Sequence, residues 1–194
     1  MNLIGINGYA RSGKDTVGAH LIAQGYEQYA FAGPIRCAAS CMFGIPLHIF
    51  EGTNPDRDVK NEFWGYSPRE MLQMIGTEGG RELFRNDMWV RRAEAEWLKL
   101  QADVAEVAKR GTPVTQGMVI TDVRFPNEAH WILSEGGIVL NIDRPGVGPQ
   151  SDHASEKPLP KELVSAVIAN HGTVKELYKI TDLVLADLLG TPNI

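Results

Sequence analysis

Residues 8–16 read GYARSGKDT and follow directly on the apolar run NLIGIN (2–7). Gly8, four intervening residues, Gly13 and Lys14 match the phosphate-loop spacing G-x-x-x-x-G-K. Asp15 then stands where that pattern carries a hydroxyl, and Thr16 follows one place late. Such a loop works only between a buried strand and a helix. Both flanks qualify. The run 2–7 suits a buried parallel strand, and residues 14–24 can form a helix with Val17 and Leu21 on one face. The glycines allow the backbone to wrap, so several N–H groups converge on one anion, and the helix N-terminus adds its positive dipole end. Lys14 can bridge the outer phosphates as a mobile cation, and Arg11 adds a second positive charge inside the loop. A chance Gly-rich turn is the competing reading.

The metal corner has two chemically sound solutions, since magnesium prefers hard oxygen ligands. Thr16 supplies its hydroxyl, or Asp15 holds the ion directly or through water. A second acid is expected at the end of another buried strand, and MVITD (118–122) offers Asp122. A plain strand-end cap is the alternative for that residue. Arg124 comes two residues later, so alternation in a strand over 117–125 would place it on the same side as Asp122, where it can clamp a phosphate.

The remainder of the chain alternates strands with helices. Strands are expected at 2–7, 26–32, 117–125, 138–144 and 163–170. Helices are expected at 14–24, 34–43, from Ser67, at 88–109, at 127–135 and from Thr173. Ser67-Pro68-Arg69-Glu70 and Thr173 with Glu176 both read as capping boxes. The helix at 34–43 should turn Ile35, Ala38, Ala39 and Met42 inward, and the last helix Leu177, Ile180, Val184 and Leu188. This pattern predicts an α/β fold, a three-layer arrangement around a mostly parallel five-stranded sheet carrying the phosphate loop. One domain is expected over 1–194, with a helical insertion at about 45–112 and a lid loop at about 145–160. With 43 % hydrophobic residues the 194-residue chain can bury a sizeable core.

Nineteen basic against 24 acidic residues give a net charge of −5, which argues against a broad nucleic-acid surface while permitting a local basic pocket. No apolar run reaches the ~18 residues of a membrane span. MNLIGING reads as a first strand, not a signal sequence, so the cytoplasm is the expected location. Cys37 and Cys41, one helical turn apart, read as buried thiols in a reduced compartment.

Arg36 and Arg69 both fall in expected first turns of helices, where the dipole disfavours a cation unless an anion is near. Arg81, Arg85, Arg91 and Arg92 suit surface or ion-pair roles. His153 lies in the expected lid loop, with a surface histidine as its alternative, and Trp64 and Trp89 can either stack on a base or pack in a core. No paired nucleophile and base stands out. A phosphate monoester acceptor needs none, because it is largely dianionic at pH 7, with a second pKa of about 6. Alignment and charge neutralisation suffice for such a transfer.

Taken together, RSGKDT (11–16), FAGPIR (31–36), SPREMLQMIGTEGGR (67–81), MWV (88–90) and DVRFPNEA (122–129) resemble the phage deoxynucleoside monophosphate kinases, in order and across most of the chain. The resemblance implies a P-loop nucleoside monophosphate kinase fold. It also implies transfer from ATP, with Mg2+, to a deoxynucleoside monophosphate (dNMP). Position by position, Arg11, Ser12, Gly13, Lys14, Asp15 and Thr16 resemble the ATP phosphate loop, with Lys14 and Arg124 as the catalytic cations. Ile35, Arg36, Arg69 and Arg124 resemble the deoxynucleotide-binding positions. Asp15, Thr16 and Asp122 stay open as metal ligands. Members of the family can be dimers, so a homodimer is expected on the resemblance alone; no stable nucleic-acid or membrane partner is. Ala10 stands where some relatives carry a basic residue. His153, Ser155 and Glu156 remain candidates in a region that does not align. The rival readings are another small-molecule P-loop kinase and a regulatory ATP-binding protein.

Overall fold

The computed structural model describes residues 1–111, 114–149 and 153–190. The chain divides into two compact units, one built from 1–30 and 95 onward, the other from Phe31–Glu94.

The first unit is a five-stranded parallel sheet, β1 Asn2–Asn7, β2 Tyr26–Tyr29, β3 Gly117–Ile120, β4 Ile138–Asp143 and β5 Ala166–Ala169, in the order β2-β3-β1-β4-β5. β1 is central: Ile4 pairs with Val119 on one side and Ile138 on the other. Helices α1 (Lys14–Ala23) and α6 (Val174–Leu189) cover one face. There Val17, Leu21, Leu177 and Leu185 pack with Ile4, Ile6, Leu140, Ile142 and Ile168. His20 ties the two helices, stacking on Tyr178 at 4.1 Å and bonding Asp182 at 2.8 Å. Helix α5 (Pro126–Ser134) lies on the opposite face against β1 and β4, giving the three-layer α/β fold expected. Trp97, on the part of α4 (Met88–Ala108) that belongs to this unit, donates to Glu135 at 3.2 Å just beyond α5. No helix among the described residues is long and apolar enough to cross a membrane.

Several boundaries differ from expectation. β3 ends at Ile120, and Thr121–Asp122 form a turn, so strand alternation cannot relate Asp122 to Arg124. β5 is the short run 166–169, because Lys161–Leu163 wind into a 3-10 turn first. On α6 the buried stripe is Leu177, Thr181 and Leu185, while Ile180 and Leu188 are exposed. The stripe can admit Thr181 because its hydroxyl donates to the Leu177 carbonyl at 2.8 Å, satisfying the polar group internally.

The second unit holds α2 (Ala32–Phe43), two 3-10 turns (Leu47–Phe50 and Pro55–Asp58), α3 (Pro68–Gln73) and the start of α4. Its core is Ala39, Phe50, Met71 and Leu72, flanked by Ile35, Phe43, Ile45, Met74 and Ile75. Ser67 and Glu70 cap α3 reciprocally, as their spacing predicts. Met42 is 64 % exposed, and Phe43 takes the inward place instead. Cys37 and Cys41 are also exposed, contrary to the buried-thiol reading. Past α3 the chain does not stop but widens into a π-helical segment, Met74–Phe84. Gly76 and Gly80 permit a close approach there: the buried Trp89 indole donates to the Gly76 carbonyl at 2.8 Å and lies flush against Gly80.

Candidate active site

The glycine-rich loop, residues 8–13, joins β1 to α1. Gly8 (φ 149°), Arg11 (φ 68°) and Gly13 (φ 107°) all have positive φ. Closely spaced left-handed residues are the backbone condition under which a loop can turn several N–H groups to one anion. Arg11 is the only non-glycine residue in this region of backbone space among the described residues. The cradle is held from behind. Ser12 N donates to the Tyr9 carbonyl at 3.1 Å, and Asn170 Nδ2, just past β5, donates to the Ser12 carbonyl at 2.8 Å. A Cβ at Gly13 would come within 2.5 Å of that amide, and one at Gly8 within 2.5 Å of Ser12 Oγ. Ser12 Oγ is itself buried without a hydrogen-bond partner, an arrangement that a ligand oxygen would relieve.

Lys14 is the first residue of α1, with its side chain 12 % exposed and its ammonium 3.5 Å from Asp15 Oδ2. Asp15 is 82 % exposed and points into solvent, so that contact holds the lysine only weakly. Thr16 is half-buried one residue further on. Asp122 lies in the turn after β3 at the same carboxyl edge of the sheet. Gly18 brings α1 against this turn, since a Cβ there would meet Thr121 Cγ2 at 2.6 Å. Asp15, Thr16 and Asp122 each carry hard oxygen donors, and no cluster of three or more His, Cys, Asp or Glu side chains placed to hold a metal ion stands among the described residues. One or two carboxylates plus ligand phosphates are what magnesium ordinarily uses, so the residues fit that ion.

Arg124 is fixed at its backbone and at its tip. Its N–H and that of Phe125 both donate to Glu128 Oε2, at 2.7 and 3.0 Å, and Glu128 is fully buried. Its Nη1 donates to Glu156 Oε1 at 2.7 Å and to the Ser155 carbonyl at 3.3 Å. Arg124, Glu156 and Ser155 line a cavity of about 450 Å3 together with Asn7, Gly8 and Tyr9 from the start of the phosphate loop. This wall unites a loop residue with a predicted clamp. His153 does not project as a free side chain: its Nδ1 accepts from Ser155 N at 3.2 Å and so builds the turn that carries Glu156. Of the expected lid loop, residues 150–152 lie outside the described residues.

The remaining predicted positions, Ile35, Arg36 and Arg69, belong to the second unit. α2 begins at Ala32, two residues earlier than expected, so Arg36 is its fifth residue and not in the first turn. Ile35 packs into the unit core next to Gly76. Arg69 is the second residue of α3 and pairs through Nε and Nη2 with both oxygens of Asp58. That hydrogen bond is the main cause holding the Asp58 carboxyl below its usual range. Arg85 and Arg91 form the expected ion pairs, both with Asp87. Arg81 is instead buried, its guanidinium donating to the Asn86 carbonyl at 3.3 Å. Trp89 is a core residue, whereas Trp64 is partly exposed, edge-on to Phe43 and Phe63.

Sequence reasoning missed Asn170, Glu128 and Arg144. Arg144 follows β4 and donates to the Arg11 carbonyl of the loop at 3.4 Å. Its place directly after the IVLNID strand was the available signal, because residues just past the carboxyl ends of parallel strands gather at one crevice.

A profile of the family "Deoxynucleotide monophosphate kinase" matches residues 51–180, a span that contains Arg69, Asp122, Arg124 and Glu156 but not the phosphate loop. The chain is 32 % identical to a putative deoxynucleotide monophosphate kinase of Acanthamoeba polyphaga mimivirus, with 92 % of this chain and 93 % of that protein covered. It is 27 % identical to the deoxynucleoside-5'-monophosphate kinase of Escherichia phage T5, covering 97 % and 99 %. It is 26 % identical to the deoxynucleotide monophosphate kinase of Enterobacteria phage T4, covering 92 % and 96 %. The profile spans two thirds of the chain and the three relatives more than nine tenths of it, and these matches agree with the parallel α/β sheet described above: the chain belongs to the deoxynucleotide monophosphate kinase family.

Proposed function

We propose that the chain transfers the terminal phosphate of ATP to the 5′-phosphate of a deoxynucleoside monophosphate, releasing ADP and the deoxynucleoside diphosphate. The observation that carries this reading is a single cavity wall in which Gly8 of the glycine-rich loop and the clamped Arg124 stand together. A donor cradle and a cation for an acceptor phosphate are what phosphate-to-phosphate transfer needs.

In this reading the loop backbone with Arg11, Ser12, Gly13, Lys14, Asp15 and Thr16 holds the donor phosphates. Lys14 follows the migrating charge as the phosphoryl group moves. Asp15, Thr16 and Asp122 are the oxygens available to Mg2+, which when bound neutralises charge on the donor. Arg124, with Ile35, Arg36 and Arg69 of the second unit, receives the acceptor. No side chain has to remove a proton, because the attacking oxygen belongs to a phosphate already ionised at neutral pH. Rate enhancement then comes from alignment and electrostatics. The supply of DNA precursors in a host cytoplasm and assembly as a homodimer complete the proposal.

Ligand-induced stabilisation separates this reading from a kinase for another small molecule. A dNMP added alone, without ATP, raises the unfolding temperature in proportion to its occupancy. An unchanged unfolding temperature at millimolar dNMP, in protein stabilised by ATP, would assign the acceptor site to a different compound.

A further inference from the structure

Glu156 has no part in the loop, the metal corner or the substrate positions described above. It is nevertheless a buried carboxylate, its side chain 6 % exposed, closing a 3-10 turn (Ala154–Glu156) directly on Arg124. The turn is made for that contact. Glu156 N donates to the His153 carbonyl at 2.9 Å, and the His153 ring bonds both the backbone N–H and the hydroxyl of Ser155. Two acceptors, Glu156 Oε1 and the Ser155 carbonyl, are thereby presented to one nitrogen of the guanidinium.

A guanidinium carries five N–H donors in a rigid planar fork. Nη1 commits its two hydrogens to the turn, and Glu128 fixes the Arg124 backbone. With both ends held, the plane of the fork is set, and the Nε–Nη2 edge remains for a phosphate. We infer that Glu156 is a positioning residue, which anchors one edge of Arg124 so that the opposite edge meets the acceptor phosphate. This inference rests on the assignment of Arg124 to the acceptor under the proposed function. An incoming dianion competes with Glu156 for the arginine. A buried carboxylate resists losing its partner, because an uncompensated buried charge is strongly unfavourable. Arg124 therefore keeps the Glu156 contact and takes the phosphate on its free edge, instead of swinging between the two.

The test is a double-mutant cycle on the full chain, with kcat and KM measured for dNMP and ATP. Glu156→Ala is expected to lower kcat/KM for dNMP by about 10- to 100-fold, the scale of a misplaced reacting group, with ATP affinity unchanged. Glu156→Gln, whose amide oxygen still accepts from Nη1, restores activity to within about 3-fold of wild type. In an Arg124→Ala background, Glu156→Ala adds no further loss. Glu156→Asp keeps the charge but shortens the reach, and gives the same pattern if the alanine variant does not fold. Losses that add to those of Arg124→Ala, or unimpaired turnover in Glu156→Ala, overturn the positioning role. Absence of dNMP turnover in the wild-type chain overturns the functional reading and this inference with it.

Discussion

Asn170 reaches from the end of β5 to the phosphate loop, its side-chain N–H donating to the carbonyl of Ser12 at 2.8 Å. The same residue's backbone N–H bonds Asp143 at the end of β4, at 2.7 Å. The loop is thus pinned to the two strands on one side of β1. Asn170→Ala should weaken ATP binding by roughly 3- to 10-fold, the worth of one hydrogen bond of about 1 kcal/mol. Asn170→Asp should weaken it more, since a carboxylate cannot donate to the Ser12 carbonyl and repels phosphate. Titration with a fluorescent ATP analogue measures both; equal affinity in all three proteins would mean that the loop holds its shape unaided.

Arg69 uses Nε and Nη2 on Asp58. Its assignment to the acceptor predicts that Arg69→Ala lowers kcat/KM for dNMP by about 10- to 100-fold, the range of a hydrogen bond to a charged group. KM for ATP should be unaffected. Steady-state kinetics with each substrate varied in turn decides this, and an unaltered KM for dNMP would remove Arg69 from the site.

The acid limb of stability should carry a contribution from the second unit. Asp58 is held low chiefly by its Arg69 hydrogen bond, and Glu70 by accepting from the Ser67 backbone and then the Ser67 hydroxyl. A carboxyl whose pKa is lower in the folded state binds fewer protons there than in the unfolded chain. Its stabilisation is complete above the ordinary values of 3.8 and 4.5 and is lost as pH falls through the lowered ones. Wild type and an Asp58→Asn/Glu70→Gln variant should therefore differ in unfolding midpoint at pH 7 and converge in acid. A constant gap between them from pH 7 to pH 2 would exclude these two carboxyls.

Gly80 allows the Trp89 ring to lie where a Cβ would sit, within 2.6 Å of two indole atoms. Overpacking of this kind typically costs about 1–3 kcal/mol. Gly80→Ala should lose that much in denaturant unfolding and red-shift the tryptophan emission as the indole is displaced. Wild-type stability would show that the π-helical segment shifts freely to make room.

Much of this architecture was legible in the chain itself. The strand–loop–helix at 2–23 needed only an apolar run, a spaced pair of glycines and a following segment with Val17 and Leu21 four residues apart, all local signals. Both Ser/Thr capping boxes were equally local. What escaped was set by tertiary contacts. Thr181 displaces the expected Ile180 from the buried stripe because its hydroxyl bonds within its own helix. The π-winding at Met74–Phe84 receives an indole N–H from Trp89, and no period in the sequence marks it. At the site, Lys14, Asp122 and Arg124 could be named from motif and position. Asn170 could not, because it acts on a residue 158 positions away; Glu156 was a candidate, but its contact with Arg124, 32 positions away, left no mark in the sequence.

In the proposed reaction the loop at Gly8–Lys14 cradles a donor phosphate for transfer to a dNMP. The direct measurement is ADP release from ATP and magnesium with dTMP, dGMP, dCMP and dAMP in parallel, the diphosphate product identified, and Lys14→Ala as the control. Turnover is expected with at least one deoxynucleotide, with a loss of about 100-fold or more in folded Lys14→Ala, the scale of removing a transition-state charge partner. No diphosphate from any of the four, in protein that still binds ATP, would contradict that reaction.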